Sequence, residues 1–138
     1  MEKDKLRTST LLKRLQSEIS IQSSLSHSNI LQLFHHFQDQ ANYYLVLEFC
    51  PGGELFHHLR SLGRLTELET VMLCGQLVEG VAYLHGRRVM HRDLKLGNLL
   101  LNAECTHLKI ADFGLAKTLQ SADEESGTVC GTPNYISP

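Results

Sequence analysis

Two short stretches of the sequence contain the side chains that a phosphoryl-transfer centre needs. The octapeptide His-Arg-Asp-Leu-Lys-Leu-Gly-Asn ends at Asn98, and the tripeptide Asp-Phe-Gly begins at Asp112. Asp93 can orient an attacking hydroxyl and accept its proton, and Lys95 can neutralise charge on the phosphate in transit. Asn98 and Asp112 provide the oxygen ligands that Mg²⁺ prefers in proteins. The two stretches together therefore predict metal-assisted transfer of a phosphoryl group.

Loops must position these side chains, because the apolar runs around them are short. Residues 88–90, 99–101 and 108–111 are predicted to be strands, and the polar residues fall between them. A loop can bend Asp93 and Asn98 toward one point, although a single loop Asp is more often a turn or cap residue. The complete octapeptide outweighs that ordinary interpretation, because a chance match of this length is negligible.

The first part of the chain predicts a helix followed by a β-hairpin. Residues 8–25 have helical periodicity, since an apolar residue recurs at every fourth position from Leu11 to Ile19. Residues 30–38 and 43–47 are predicted to be strands, and the polar turn between them favours antiparallel pairing. The alternation in the first strand predicts one face made of Leu31, Leu33, His35 and Phe37.

A Pro-Gly-Gly break at residues 51–53 separates this part from a helical second part. A short helix is predicted over residues 54–62 and a longer one over residues 66–85. Thr66 and Glu69 have the spacing of a capping box at the start of the longer helix. Its predicted apolar stripe consists of Leu68, Val71, Met72, Val78, Val81 and Ala82.

Composition limits the class of protein. The chain has 138 residues, of which 42% are hydrophobic and 20% charged, values typical of one globular domain. A net charge of −2 gives no reason to expect a nucleic acid or a membrane as partner. The charged first residues do not resemble a signal peptide, and the four dispersed cysteines indicate reduced thiols. These features predict a cytoplasmic protein.

The pattern H-R-D-L-x-x-x-N followed by D-F-G is the signature of the protein kinases. Almost the whole chain resembles the middle of a eukaryotic serine/threonine protein kinase domain, and it is most similar to the polo-like kinases. The strings that carry this resemblance are Glu18-Ile19-Ser20-Ile21, the octapeptide, and Cys-Gly-Thr-Pro-Asn-Tyr-Ile from residue 130. Aurora-type kinases share many of these positions, and residues 51–56 also resemble the cyclic-nucleotide-dependent kinases.

The resemblance implies an α+β, bilobal, kinase-like fold that is incomplete. Residues 1–50 match part of the N-lobe, with helix αC, a hairpin and the hinge, and residues 51–138 match part of the C-lobe. The implied cofactors are ATP and Mg²⁺, and the implied partners are proteins that present Ser or Thr. Targeting or regulatory domains are expected outside this chain, and a nuclear or centrosomal location follows only from the polo-like resemblance.

The resemblance also assigns roles to single residues. Asp93, Lys95, Asn98 and Asp112 match the catalytic residues, and the last two match the metal ligands. Six residues match nucleotide-binding positions of the family. They are Glu18 as the αC glutamate, Leu47 as the gatekeeper, Glu48 and Cys50 in the hinge, Glu54 near the ribose, and Leu100 at the adenine floor. The regulatory positions match Arg92, Phe113, Thr128 and Thr132, where Thr128 is the activation-loop phosphorylation site and Arg92 its expected partner. Lys95 and Thr132 together indicate Ser or Thr as the acceptor.

Two elements of the family pattern are not found in the sequence. No G-x-G-x-x-G precedes residue 8, and no V-A-I-K-like strand supplies the lysine that holds ATP. The chain stops at Pro138, where the family continues with a Glu and further helices. We therefore expect an isolated chain without significant kinase activity. The alternatives are a non-catalytic kinase-like protein that acts by binding or competition, and a truncated gene model.

Overall fold

The computed structural model describes residues 9–119 and 130–135, which form an α+β arrangement of three helices and seven short strands. The helices are α1 (Ser9–Ser23), α2 (Leu55–Leu62) and α3 (Glu67–Gly86). The strands are β1 (Leu33–Gln38), β2 (Tyr43–Leu47), β3 (Gly53–Glu54), β4 (Val89–Met90), β5 (Leu99–Leu101), β6 (Leu108–Ile110) and β7 (Lys117–Thr118). Short 3₁₀ turns cover Leu96–Asn98 and Pro133–Tyr135.

The strands form three small antiparallel sheets. β1 pairs with β2, β5 lies between β3 and β6, and β4 pairs with β7. The predicted strands of the second part are confirmed within one residue at each end. The two-residue strands β3 and β7 were not predicted, because two residues are too few to show a period.

Helix α1 confirms the predicted first helix but ends earlier, at Ser23. The N–H groups of Ser24 and Leu25 donate to the carbonyls three residues back, so the last turn tightens and the helix stops. Leu15 and Ile21 are buried on its inner face.

The hairpin β1–β2 is confirmed, but the predicted inner face of its first strand is only half right. Leu31 and Leu33 are buried, whereas His35 and Phe37 are exposed. A bulge between Leu33 and His35 shifts the alternation at the point where the chain leaves the core. Ile30, predicted to begin the strand, instead forms an isolated parallel bridge with Ile110.

Helix α3 begins with the predicted capping box, in which the Thr66 side chain accepts from the Glu69 N–H and Glu69 accepts from the Thr66 N–H. The predicted apolar stripe is mostly wrong, although its member Val81 is partly buried against the core. Its members Leu68, Val71, Met72 and Val78 are exposed, and the buried positions are Leu73, Gly80 and Leu84. Apolar residues occur on more than one face of this helix, and the docking of β6 decides which face is buried.

The core lies between α3 and the sheet β3–β5–β6. Leu101 and Ile110 at its centre have 0% exposure. Leu25, which follows α1, and Leu84 of α3 are also buried in this core. The strands β5 and β6 thus lie in the fully buried part of the core, and the octapeptide and the Asp-Phe-Gly motif are attached directly to them. None of the helices in the described part of the chain is long and apolar enough to span a membrane.

Candidate active site

The two sequence motifs meet at one edge of the sheet β3–β5–β6. Asn98 directly precedes β5, and Asp112 lies two residues after β6. The N–H of Ala111 donates to the carbonyl of Asn98 over 2.8 Å, which extends the strand pairing to the motifs themselves. The antiparallel pairing thus places the start of one motif beside the end of the other.

Asp93 is the centre of a hydrogen-bonded cluster. Its Oδ1 accepts from the Thr132 hydroxyl over 2.6 Å, and its Oδ2 accepts from Lys95 Nζ over 2.8 Å and from Asn98 Nδ2 over 3.1 Å. Lys95 Nζ also donates to Thr132 Oγ1 over 3.1 Å. The structure therefore brings three of the four predicted catalytic residues into direct contact, together with the predicted regulatory residue Thr132.

This cluster keeps the Asp93 carboxylate ionised. Burial acts to raise its pKa, but the hydrogen bonds from Lys95 and Thr132 and the Lys95 charge outweigh burial, and the pKa is lowered. A hydrogen bond from Asn98 acts in the same direction. The hydrogen bond to Asp93 in turn raises the pKa of Lys95, so the pair is a carboxylate facing an ammonium at neutral pH.

His91 joins the two motifs, a role that the sequence analysis did not assign. Its Nδ1 accepts from the Asp93 N–H over 3.3 Å, and its Nε2 lies 2.9 Å from the Ala111 carbonyl. This arrangement requires a neutral imidazole with its hydrogen on Nε2. Burial lowers the pKa of His91, although the Ala111 carbonyl and the charges of Asp112 and Asp93 oppose it. Its place at the start of the octapeptide was the only signal in the sequence.

Asp112 is held in an uncommon backbone conformation with its carboxylate exposed. Its φ is +65°, a value that Asp tolerates better than most residues. Its Oδ1 accepts from the Gly114 N–H over 3.2 Å. The next side chain, Phe113, is buried against the His91 ring, with centroids 5.1 Å apart in an edge-on arrangement. The burial of Phe113 therefore fixes the direction in which Asp112 points.

Glu18 of α1 lies beside the same segment. A Cβ on Gly114 would be 3.2 Å from Asp112 Oδ1 and 3.6 Å from Glu18 Oε2, so both carboxylates contact this glycine. Burial, and then the charge of Asp112, raise the pKa of Glu18. In the described part of the chain no Lys or Arg forms a salt bridge with Glu18.

The predicted gatekeeper and hinge residues lie at the end of β2 and directly after it, whereas the predicted adenine-floor residue lies in β5. Leu47 ends β2 and is partly exposed, and Glu48 follows it and pairs with Lys109 of β6. Burial and the Glu48 charge raise the pKa of the Cys50 thiol, with Lys109 opposing them.

Glu54 and Leu100 face each other in the pairing of β3 with β5. A Cβ on Gly97 would lie 3.5 Å from Glu54 Oε2, so this carboxylate reaches the loop that contains Asp93. The antiparallel strands therefore bring these two predicted nucleotide-binding residues together beside the octapeptide.

Arg92 faces a separate cavity of ≈ 580 Å³ between α1 and the segment after the Asp-Phe-Gly motif. Its φ is +66°, and its Nε donates to the Leu115 carbonyl over 2.7 Å. Among the described residues that line this cavity, four are cationic, Lys13, Arg14, Arg92 and Lys117, and none is a carboxylate. Thr128, the predicted phosphorylation site, lies outside the described residues.

Comparisons with known proteins agree with this geometry. The family model described as "Protein kinase domain" matches residues 1–138. The chain is 52% identical over 136 residues to a probable serine/threonine-protein kinase, CCRP1, of Zea mays, covering 99% of this chain and 22% of that protein. It is 47% identical over 139 residues to the serine/threonine-protein kinase PLK4 of Drosophila ananassae, covering 100% of this chain and 18% of that protein.

A third relative is the cell cycle serine/threonine-protein kinase CDC5/MSD2 of Saccharomyces cerevisiae. It is 48% identical over 126 residues, which cover 91% of this chain and 18% of the yeast protein. The chain thus spans about a fifth of the length of the curated relatives it matches. With the kinase motifs joined at one sheet edge and relatives of this similarity among the polo-like kinases, the chain belongs to the protein kinase domain family, as a serine/threonine-kinase member that is similar to the polo-like group.

Proposed function

We propose that this chain supplies the acceptor-positioning and metal-binding part of an enzyme that transfers the γ-phosphate of ATP to Ser or Thr of proteins. The observation that supports this proposal best is the Asp93 cluster, in which Lys95, Asn98 and Thr132 converge on one carboxylate. In this proposal residues 1–50 belong to the N-lobe and residues 51–138 to the C-lobe.

The side chains around Asp93 fit a magnesium ion. Asn98 Nδ2 donates to the carbonyl and to the carboxylate of Asp93, so its Oδ1 is the atom left for a cation. Asp112 presents an exposed carboxylate beside it. Two oxygen ligands are typical of Mg²⁺, which keeps waters and substrate phosphates in its remaining positions. Bound there, the ion would neutralise charge on the phosphates of ATP.

Asp93 acts on the acceptor hydroxyl in this mechanism. Its pKa is lowered, so it is ionised at neutral pH and is a weak base. A weak base orients the hydroxyl first, and it takes the proton when the oxygen becomes acidic on bonding to phosphorus. Lys95 donates to Asp93 Oδ2 and is 30% exposed, so its ammonium can also approach the transferred phosphoryl group. Thr132 bonds to both Asp93 and Lys95 and so fixes the distance between these two side chains.

We also propose roles for the residues that match nucleotide-binding positions. The backbone from Glu48 to Cys50 would bind adenine, Leu47 and Leu100 would line its pocket, and Glu54 would approach the ribose. Glu18 would pair with a lysine that holds the phosphates. The raised pKa of Glu18 supports this role, because a half-buried carboxylate beside Asp112 gains from a nearby cation.

Phosphorylation of Thr128 is the proposed regulatory event, and the cationic cavity supports it. A phosphate adds about −1.5 to −2 charges, and the side chains of Arg92, Lys117, Lys13 and Arg14 provide the opposite charge. Phosphopeptide mass spectrometry of the active protein isolated from its own cells should find the phosphate on Thr128. Active protein with unmodified Thr128 would contradict this role.

The proposed substrates are proteins, with no nucleic acid or membrane partner, and the proposed location is the cytoplasm, with the nucleus or centrosome following from the polo-like resemblance. We also propose that the 138-residue chain alone does not transfer phosphate significantly. The sequence contains no G-x-G-x-x-G motif before α1, and phosphoryl transfer depends mainly on positioning.

A nucleotide titration of the 138-residue chain tests the proposed site. A fluorescent ATP analogue should bind in a Mg²⁺-dependent manner, and Asp112→Asn should weaken Mg²⁺-dependent binding at least about ten-fold because it removes the carboxylate charge. Glu79→Gln is the matched control, since it removes an exposed carboxylate from α3, away from the site. Binding that is equal with and without Mg²⁺, and equal in the Asp112 variant, would rule out the site.

A phosphate-transfer assay separates enzyme from non-catalytic protein. We expect no transfer by the chain alone to a mixture of Ser- and Thr-containing proteins. Transfer that disappears in Asp93→Asn would show that the chain is a complete catalyst and would refute the proposed inactivity. If the chain shows no Mg²⁺-dependent binding and no transfer, that result would favour the alternative, a kinase-like protein that acts by binding or competition.

A further inference from the structure

Lys109, in the middle of β6, connects three separate segments of the chain. Its Nζ lies 2.9 Å from Glu48 Oε1 and donates to the Ser28 carbonyl over 2.8 Å. The two charged side chains are 15% and 27% exposed, so this ion pair is more protected from solvent than a typical surface pair. Lys109 is three residues before Asp112, and Glu48 begins the proposed hinge.

Glu48 continues the connection on the hinge side. Its second carboxylate oxygen accepts from the Gln32 N–H over 3.2 Å, and its own N–H donates to the Gln32 carbonyl over 2.9 Å. One carboxylate thus contacts β6 through Oε1 and the segment before β1 through Oε2. Losing the Lys109 charge would leave a largely buried carboxylate with one partner fewer.

The segment of residues 26–32 is already bonded to β6 by its backbone. Ile110 N–H donates to the Asn29 carbonyl over 2.8 Å, and Leu31 N–H donates to the Ile110 carbonyl over 2.9 Å. The buried Asn29 amide also donates to the Leu108 carbonyl over 2.9 Å. These bonds hold the segment itself, but among the hydrogen bonds and ion pairs of β6 in the described part of the chain, only that of the Lys109 side chain reaches Glu48.

We propose that the Lys109–Glu48 ion pair is a positioning pair, which holds the segment from Glu48 to Cys50 at a fixed distance from the strand that carries Asp112. The adenine-binding role of that segment rests on the proposed function, whereas the mechanical connection does not. Because coupling is reciprocal, a change at either partner should loosen the segment of the other. Lys109 and Glu48 would then act through other groups and touch no reacting atom.

Hydrogen exchange of the nucleotide-free 138-residue chain tests the connection. In Lys109→Met and in Glu48→Gln, the amides of residue 48 and of residue 110 should both exchange about ten-fold faster, which corresponds to about 1.4 kcal/mol. The amides of residues 67–86 in α3 should keep their rates, since the hydrogen bonds of Lys109 and Glu48 in the described residues, and their ion pair, do not involve α3. Lys109→Arg keeps the charge and should restore slow exchange at both amides.

The control is Arg60→Met, which removes an exposed cation from α2 and should change neither amide. Three results would overturn the proposal: unchanged exchange at residue 48 in Lys109→Met, equal acceleration throughout α3, or no restoration by Lys109→Arg. The second would indicate general destabilisation of the fold. Because no nucleotide is present in the exchange experiment, its outcome does not depend on whether the chain binds nucleotide. Failure of the nucleotide titration would therefore not contradict the positioning pair, and failure of the exchange experiment would not contradict the proposed nucleotide site.

Discussion

Two glycines of α3 provide matched tests of how the helix packs on β6. A Cβ on Gly80 would lie 2.8 Å from Ile110 Cδ1 and 3.2 Å from the Asn29 carbonyl oxygen. A Cβ on Gly75, one and a half turns earlier, would meet nothing within 4 Å. Both substitutions to Ala gain the same helix propensity, about 1 kcal/mol. The two variants therefore differ only in what the new methyl group contacts.

The geometry at Gly80 leaves little room for relaxation. Ile110 is fully buried, and the Asn29 carbonyl is backbone that accepts the Ile110 N–H. Overpacking of this kind costs about 1–3 kcal/mol. We expect Gly80→Ala to lower the free energy of unfolding by about 1 kcal/mol after the propensity gain, and Gly75→Ala to raise it by about 1 kcal/mol. The difference of about 2 kcal/mol measures the packing cost alone.

Urea denaturation of the 138-residue chain, followed by circular dichroism at the helix band, measures both variants against the original protein. The slope of the transition should stay constant, so that the midpoint reports stability. If Gly80→Ala stabilises the chain as much as Gly75→Ala, α3 does not approach β6 as closely as the structure shows. That result would also refute the explanation given for the buried face of α3.

Two further predictions concern the site. Thr132→Val removes a hydrogen bond from Asp93 Oδ1 and should raise the pKa of Asp93 toward its ordinary value, as measured by carboxyl NMR. The ionised Asp93 stabilises the fold above pH of about 4, and this stabilisation is lost as pH falls through the folded pKa. The variant should therefore gain less stability from this group. An unchanged pKa would contradict the cluster. His91 has a lowered pKa, so the unfolded chain binds the extra proton first, and the melting temperature should fall as pH drops from about 6.5 toward the folded pKa. His91→Gln should flatten this dependence, and a pH-independent melting temperature in the original chain would contradict the buried neutral ring.

The sequence predicted those features that depend on neighbours within a few positions. The capping box at Thr66 and the hairpin turn at residues 39–42 are local, and both are confirmed. The approach of Asp93 to Asn98 was also predicted, because one loop can bend both side chains toward one point. The direction in which α3 faces was not predictable, since Leu68 and Leu73 are equally apolar and only β6 distinguishes them.

Contacts between distant residues account for the rest. Thr132 reaches Asp93 across 39 positions, and Lys109 reaches Ser28 across 81. A pattern of spacing does not contain such distances. The family resemblance indicated a role for Thr132 but not the hydrogen bond that performs it, and it gave no role to Lys109. Both contacts depend on how the sheet β3–β5–β6 is covered by loops from elsewhere in the chain.

His91 contacts Ala111, 20 positions later in the chain, which explains how the two motifs can share one geometry. Its ring accepts from the Asp93 backbone at one nitrogen and donates to the Ala111 carbonyl at the other, so the two loops are separated by the width of one imidazole. A protonated ring would lose the first contact, and burial disfavours that form. Phe113 packs on the same ring, so the residue that orients Asp112 is braced by the residue that holds Asp93. The distance between the carboxylate that we propose orients the acceptor and the proposed metal ligand is therefore fixed by a side chain to which the proposed mechanism gives no chemical step.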